Sequence, residues 1–403
     1  MVKTTLLHAA PAPLGSAPAR IGSSAIRDLL ALTRRPDVIS LAGGLPNEAS
    51  FPVDAIAEAT ASVMADDPLA ALQYGPTEGT DELRAIVAHR AGVDPAHVLV
   101  TSGSQQALDL VARAVLDPGD VAVVADPAYV GALQALRATG AALVPVASDS
   151  RGLRVEDLAA LLDQGLRPSL VHVVAAFDNP TGATLDARRR IALVELAEEH
   201  GFWIVDDDPY GELRWRGLAP APLRSLSDRV ITLGSTSKVL CPGLRVGWAI
   251  APRAAIEAIA VLKQATDLHT SSFAQAVVAR LLGDDAAMDA HLATLRDTYR
   301  RQADALADAL QRHLPGQLAF ARPDGGMFLW ARLADTIRPG ASTADLLPQA
   351  LDHGVAFVPG AAFAAFAAGD PSAHDRHLRL SFASASPAQL DEAALRLART
   401  LTP

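Results

Sequence analysis

Cysteine and lysine are nearly missing from this chain, and each shortage narrows what the protein can be. A single cysteine, Cys241, excludes an internal disulfide framework and fits a reducing compartment. No stretch reaches the ~20 consecutive apolar residues that crossing a bilayer requires. No long run of like charge forms a tail. The formal net charge of -10 and a pI near 5.5 argue against nucleic acid, whose phosphates call for a basic face. A soluble cytoplasmic protein is expected, with no nucleic acid and no membrane among its partners. What is present is apolar bulk. Half of the 403 residues are hydrophobic and the mean hydropathy is +0.20, enough for a large core and for two domains. The opening MVKTTLLHAAPAPLGSAPAR has a short apolar run followed by repeated prolines. It reads as a flexible arm, with a secretory leader as the alternative.

The central part alternates short apolar runs with longer amphipathic ones. HVLVTS (97–102), VAVVAD (121–126), LVHVVAAF (170–177), FWIVDD (202–207) and RVITLGS (229–235) read as strands. QQALDLVARAVL (105–116), YVGALQALRATG (129–140) and IALVELAEEHG (191–201) read as helices, the last ending at a glycine. Apolar strands between helices predict a mostly parallel sheet covered on both faces. Ligands gather at the carboxyl ends of such strands. Beyond residue 252 the pattern changes. Long helices are expected over 253–313, broken near Gly283-Asp284-Asp285, then helices near 343–353 and 387–401, with HLRLSFAS (377–384) between them. This resembles a smaller α/β domain. Residues 24–35 read as a helix that could fold back onto it. No internal repeat is present.

Scarcity singles out the chemistry. Of 35 basic residues only Lys3, Lys238 and Lys263 are lysines. A Schiff base requires an amine that can lose its proton, which arginine cannot supply. Lys238 lies in GSTSK (234–238), just before PGLRVGW (242–248). Arg245 could reach a phosphate, and Ser235 and Ser237 could donate hydroxyl hydrogen bonds to it. Taken alone, Lys238 reads equally as a surface lysine and Arg245 as half of a salt bridge. TSGSQQAL (101–108) is a turn between strand and helix, where the N–H groups around Gly103, Ser104 and Gln105 favour an anion. It carries neither a Walker A lysine nor a dinucleotide fingerprint. DNPTG (178–182) follows a strand, as a plain turn or as a device that fixes Asn179. VDDDPYGEL (205–213) offers three aspartates at a strand end. A metal site and a solvated turn are alternatives, but no histidine or cysteine adjoins them in sequence to support a transition metal, so no metal is expected. Three of the four tyrosines, Tyr74, Tyr129 and Tyr210, fall in these blocks. Tyr129 could lay its ring on a flat cofactor or simply pack in the core.

Eight blocks occur in one order: SLAGGLPNEASFP, LQYGPTEG, TSGSQQALDL, DNPTG, DDDPYGEL, GSTSKVLCPGLRVGW, PDGGMFLW and HLRLSF. In that order, from about residue 20 to the end, the chain resembles the class I/II aminotransferases of pyridoxal 5′-phosphate (PLP) fold type I. It is most similar to the subgroup that contains 2-aminoadipate aminotransferase and the aminotransferase-like domains of MocR regulators. The resemblance implies an α/β fold: a large domain with a mostly parallel central sheet flanked by helices, plus a smaller α/β domain. The expected boundaries are an arm over 1–20, a helical segment over 21–45 packing with the small domain, a PLP-binding domain over 46–285 and a small domain over 286–403.

The resemblance also implies roles. Lys238 would form the Schiff base with PLP and shuttle the proton. Asp207 would hold the pyridinium, Asn179 and Tyr210 the ring oxygen, and Tyr129 would stack on the ring. Gly103, Ser104, Gln105, Ser235, Ser237 and Arg245 would hold the phosphate, with Tyr74 reaching in from the second subunit of a homodimer. Arg379 would take the substrate α-carboxylate with Asn179, and Gly44 would join them at the substrate. Arg27, in SSAIRDLLALTRRP, falls where 2-aminoadipate enzymes hold a distal carboxylate; a surface ion pair is its alternative. The activity implied is transfer of an α-amino group from an L-amino acid to a 2-oxo acid, such as 2-oxoglutarate, with ping-pong kinetics. For Lys238 to act near neutrality its pKa must fall from about 10 toward roughly 7–8 through burial and cationic neighbours. The alternatives are a β-lyase or decarboxylase on the same fold, or a non-catalytic PLP-sensing domain. Against the sensor, only about 20 residues precede the first matched helix, too few for a winged helix.

Overall fold

Strands whose neighbouring residues are all apolar belong in a sheet with no wet face, and that is where these lie. The computed structural model describes residues 17–21, 35, 37–365 and 374–401. The longest helices before the main sheet are α1 (Val53–Asp66) and α2 (Asp81–Ala91). The sheet then builds by alternation: β1 (Val98–Thr101), α3 (Ser104–Val115), β2 (Val121–Asp126), α4 (Val130–Thr139), β3 (Ala142–Asp149), the short β4 (Gly152–Leu153), α5 (Val155–Asp163), β5 (Leu170–Val173), α6 (Ala187–His200), β6 (Trp203–Asp207), β7 (Val230–Ser235) and β8 (Gly247–Ile250). The spatial order is β1-β8-β7-β6-β5-β2-β3-β4. Strands β7, β6, β5, β2 and β3 pair in parallel; β8 runs antiparallel between β7 and β1.

Successive residues of a strand point to opposite faces. Val124, Val205 and Ile231 pack on one side with α3, α4 and the later helix α7 (Arg253–Thr266); Val123, Ile204 and Val230 pack on the other with α5 and α6. Both faces are covered, so both must be apolar. The parallel strands therefore end at one edge, where Asp207 closes β6 and Ser235 closes β7.

After α7 come α8 (Ser272–Leu282) and the long α9 (Asp285–His313). A four-stranded antiparallel sheet follows, in the order β9 (Leu318–Phe320), β10 (Phe328–Leu333), β12 (His377–Ser381), β11 (Val358–Pro359). Helices α10 (Thr343–Asp352) and α11 (Pro387–Leu401) complete this part. Leu306, Leu310, Leu390 and Leu397 join Leu329 and Leu380 in a core that continues to Phe177, Tyr210 and Val239 beside the main sheet.

Three expectations shift. The helical stretch 253–313 breaks at 283–285 as expected, with Asp284 capping Ala287 N, but it also breaks at 267–271. That second break has no glycine or proline; it turns on Leu268 at φ 68° and restarts at Ser271, whose hydroxyl caps Ala274 N. The strand expected over 170–177 stops at Val173, and Phe177 sits at φ 54°. Strand β3 and strand β8 carried no expectation. Arg27, all but residue 35 of the helix expected over 24–35, and residues 1–16 of the expected arm lie outside the described residues. Among the described residues no helix is long and apolar enough to cross a membrane.

One close approach holds the strand ends together. A Cβ on Gly247 would come within 2.7 Å of Gly234 O, Gly103 C and Ser104 N, all of them backbone atoms. Overpacking against backbone is not relieved by rotamer changes. Gly247→Ala is expected to destabilise the protein by about 1–3 kcal/mol in urea unfolding; an unchanged midpoint would show that the three segments can separate without cost.

Candidate active site

At the carboxyl edge of the main sheet a cavity of about 370 Å³ is lined by Tyr129 and by residues from six of the eight blocks, among them Lys238, Asp207, Tyr210, Asn179 and Arg379. Gly44, Ser104, Gln105, Ser235, Ser237 and Arg245 line it as well. The cavity thus gathers most of the residues marked from sequence. Gly103 adjoins it as the residue before α3. Tyr74 does not line it: that ring is 79% exposed and meets His269 edge-on at 5.7 Å.

Lys238 reaches the cavity from the turn after β7. Thr236 ties that turn to the chain before β8 through its N–H and hydroxyl, both donating to Val246 O at 3.1 and 3.0 Å. The Lys238 Nζ donates to Gly44 O at 2.7 Å. Burial pushes its amine down to about 8, helped by the charges of Arg379 and Arg245 and opposed by Asp207. Roughly a fifth of the amine is therefore neutral near physiological pH, against about a thousandth for an exposed lysine.

Asp207 ends β6 with its side chain buried. Burial pushes the carboxyl up to about 7, and the neighbouring carboxylates of Asp206, Asp208 and Asp178 add to the shift. Its Oδ1 has no hydrogen-bond partner. A buried carboxylate oxygen without a donor favours a cationic N–H placed against it. Beneath it His172, on β5, is held neutral: burial pushes its imidazole down to about 4. Its Nε2 lies 4.0 Å from Asp207 Oδ2 and also lacks a partner. Sequence reasoning passed over His172; a lone histidine in an otherwise apolar strand was the available signal. Among the described residues no group of three His, Cys, Asp or Glu side chains is placed to hold a metal ion.

An anion cradle faces these groups. Helix α3 begins at Ser104 with Gly103 at its N-cap, and no side chain caps it. The first N–H groups of a helix have no intrahelical acceptor, and those of Ser104 and Gln105 have none elsewhere among the described residues. Ser235 Oγ and Ser237 Oγ lie 2.8 Å apart. Arg245 adds the charge and donates to Ser102 O at 3.1 Å. Gly103 makes this approach feasible: its φ is +91°, and a Cβ there would stand 2.6 Å from the Arg245 guanidinium. The Gln105 side chain turns away, taking the Tyr129 hydroxyl at 3.1 Å and donating to Gly131 O at 3.1 Å.

The opposite wall is cationic. Arg379, on β12, is buried between the rings of Phe328 and Phe363, 4.3 and 5.0 Å from their centroids. It donates to Asn179 Oδ1 at 2.7 Å and Ala42 O at 2.6 Å. Its Nε has no partner, and burial lowers its pKa to about 10. A buried guanidinium with an unfilled donor suits a carboxylate. Asn179 is held by the turn that follows β5, where Asp178 O accepts from Gly182 N at 2.6 Å and Asp178 Oδ2 from the Thr181 hydroxyl at 2.7 Å. Tyr210 is buried edge-on to Phe328 at 5.9 Å, and burial raises its hydroxyl pKa. An amine, an acid with an unfilled oxygen, a cradle of free N–H groups and hydroxyls, and a buried arginine with an unfilled donor share one cavity. That set fits pyridoxal phosphate and an amino acid.

The comparisons agree with this chemistry. The family described as aminotransferase class I and II matches residues 36–397. The chain is 40% identical over 392 residues to the 2-aminoadipate transaminase of Thermus thermophilus, covering 96% of each chain. It is 38% identical over 391 residues to aromatic-amino-acid aminotransferase 1 of Thermococcus litoralis, covering 94% of this chain and 91% of the relative. Among solved structures, the α-aminoadipate aminotransferase LysN of Thermus thermophilus, crystallised with N-(5′-phosphopyridoxyl)-L-leucine, superposes with a TM-score of 0.88 at 38% identity, covering 96% of this chain and 97% of that one. These relatives do not favour the lyase, decarboxylase or sensor alternatives. The chain belongs to the class I and II aminotransferases: it is an α/β enzyme of fold type I that uses pyridoxal 5′-phosphate to transfer amino groups between amino acids and 2-oxo acids.

Proposed function

We propose that Lys238 is the lysine that holds the cofactor and that the surrounding residues divide the work as the sequence implied. One observation carries this. Of the two lysines among the described residues, Lys238 lines the cavity, with a lowered pKa and an unpartnered acid close by, whereas Lys263 does not line it. The cofactor supplies an aldehyde for the amine and an electron-withdrawing ring. Asp207 holds the positive end of that ring, and burial makes its charge strong. Asn179 and Tyr210 bind the ring oxygen, and Tyr129, fixed by Gln105, covers the ring. Ser104, Gln105, Ser235, Ser237 and Arg245 take the phosphate, with Gly103 giving Arg245 its room. Arg379 takes the α-carboxylate of the donor and later of the 2-oxo acid, so one orientation serves both halves of a ping-pong cycle. Lys238 Nζ would take the proton from the substrate Cα and deliver it to the cofactor carbon that carried the aldehyde. Its pKa of about 8 suits a base working near neutrality.

The reading extends to a cytoplasmic homodimer. Tyr74 is exposed, as are Val53, Met64, Leu69 and Leu72 in the stretch that precedes it, and this exposed apolar surface supports self-association and a reach into the partner's cradle. The side-chain preference of the donor rests with Arg27. The named relatives act on 2-aminoadipate and on aromatic amino acids. A donor panel with 2-oxoglutarate as acceptor tests the reading. Each turnover is expected to yield one 2-oxo acid per glutamate; release of ammonia or carbon dioxide instead would refute it. Preference for 2-aminoadipate, lost in Arg27→Ala, would assign Arg27 to a distal carboxylate.

Lys238→Ala is expected to lose ~10³-fold or more in turnover and to abolish the covalent labelling of position 238 that borohydride reduction leaves when pyridoxal phosphate is bound to a lysine amine. Wild-type-like rates without added amine would end the assignment. Because only the neutral amine attacks an aldehyde, uptake of pyridoxal phosphate by the apoprotein should speed up as pH rises through about 8 and then level off. A rise continuing to pH ~10, the value of an ordinary lysine, would show that the amine is not buried. Asp207 keeps its proton to about pH 7 in the folded apoprotein but only to ~3.9 when unfolded. Between those values the folded state binds more protons, so apoprotein stability falls as pH rises through that window. Asp207→Asn should raise the apoprotein melting temperature at pH 8 and flatten its slope between pH 4 and 7, while turnover drops ~10²-fold or more. Retained activity would remove Asp207 from the mechanism.

A further inference from the structure

Lys263 is one of three lysines in an arginine-rich chain, and its side chain is fully buried, yet it lies outside the catalytic cavity. A buried ammonium is costly unless its donors are filled and its charge is matched. Here both conditions are met. The Lys263 Nζ lies 2.9 and 3.1 Å from the two carboxylate oxygens of Asp267, one helical turn on, and 3.0 Å from Gln106 Oε1. Gln106 in turn donates to Asp267 Oδ2 at 2.6 Å and accepts the Ser102 N–H at 2.7 Å. The Ser102 hydroxyl donates to the same Asp267 oxygen at 3.2 Å. Ser102 is thus gripped by its backbone and its side chain, and its carbonyl accepts from Arg245. The next three residues are Gly103, Ser104 and Gln105, whose backbone forms one wall of the anion cradle.

We propose that Lys263, with Asp267 and Gln106, is a positioning residue for the cofactor phosphate: the buried ion pair fixes Ser102, and Ser102 sets both the N–H groups at the start of α3 and the guanidinium of Arg245. The proposal rests on the reading that this cradle takes the phosphate. Lys263 touches neither cofactor nor substrate. Its removal leaves Asp267 a carboxylate without its cation and Gln106 Oε1 with one donor fewer, so the amide can rotate and release Ser102 N. Arginine is a poor replacement because its rigid planar fork must fit where a compact ammonium makes three short contacts.

The test compares two ligands on the apoprotein. Pyridoxal phosphate and pyridoxal, which lacks the phosphate, are titrated against wild type, Lys263→Met, Asp267→Asn and Arg245→Ala, following cofactor absorbance, with the ³¹P resonance of the bound phosphate recorded for each. Wild type should prefer the phosphorylated ligand strongly. In Lys263→Met that preference should shrink ~10-fold, about the worth of one charge-assisted contact, with pyridoxal binding nearly unchanged and the ³¹P signal shifted. Asp267→Asn, nearly isosteric and partly exposed, should move the same way and keeps the test decisive if Lys263→Met does not fold. Equal weakening of both ligands, or a lower melting temperature with the preference intact, would overturn the positioning role. Arg245→Ala separates the two levels. If it too keeps the preference, the cradle does not hold the phosphate and the underlying reading fails; if it loses the preference while Lys263→Met and Asp267→Asn keep it, only the positioning role fails.

Discussion

Taking charge out of water is the constraint on which this site depends. Asp207 and Arg379 are buried and Lys238 half-buried around one cavity, and none has its charge fully compensated by the protein. In such surroundings each group either changes its protonation or waits for a ligand of opposite charge. Lys238 takes the first course, its amine losing its proton more readily than an exposed lysine's. Asp207 takes both, holding a proton until a cation arrives. Arg379 cannot give up its proton, so its charge is spread over two aromatic faces, a carbonyl and an amide oxygen. Under the proposed roles, a cationic ring toward Asp207 and an anionic carboxylate toward Arg379 would complete the site electrostatically, and reversing either would be strongly unfavourable.

The fold contributes the placement. A parallel sheet brings several strand ends to one edge, and each end here carries a different chemical group. Tight approaches keep those ends in register. Gly247 allows the β8 backbone to touch β7 at Gly234 and the turn at Gly103, so the end of β7 and the start of α3 cannot drift apart. Arg379 comes from the antiparallel sheet and reaches Asn179 beside the parallel one, which makes one hydrogen bond the seam between the two sheets at the site.

Much of this was legible in the chain. Continuous apolar runs marked the central strands because both faces of the sheet are covered. The cavity residues announced themselves through rarity, as with Lys238, or through blocks at strand ends, as with Asn179 and Asp207. Other features left no trace. Strand β3 is half exposed at the sheet margin, so its pattern is mixed. The turn at Asp267–Ser271 is made by a leucine with positive φ, held by contacts that no local composition encodes. Gln105 and Gln106 are neighbours in sequence but point about 100° apart around a helix; the first serves Tyr129 and the second Asp267, a division only packing reveals. His172 was hidden for a similar reason: one polar residue in an apolar strand looks like a tolerated exception until Asp207 is placed above it.

The crowd of buried carboxylates at the end of β6 has a cellular consequence. Asp178, Asp206, Asp207 and Asp208 all have raised pKa values because burial disfavours their ionised forms, with repulsion from the neighbouring aspartates adding to the shift at Asp206 and Asp207. A cofactor that brings a positive charge to one of them binds only the folded chain and so shifts the folding equilibrium by mass action. Freshly made protein without it opens more often and is exposed to proteases for longer. Vitamin B6 supply would then govern how many copies of the enzyme persist in the cell as well as how many are competent to react.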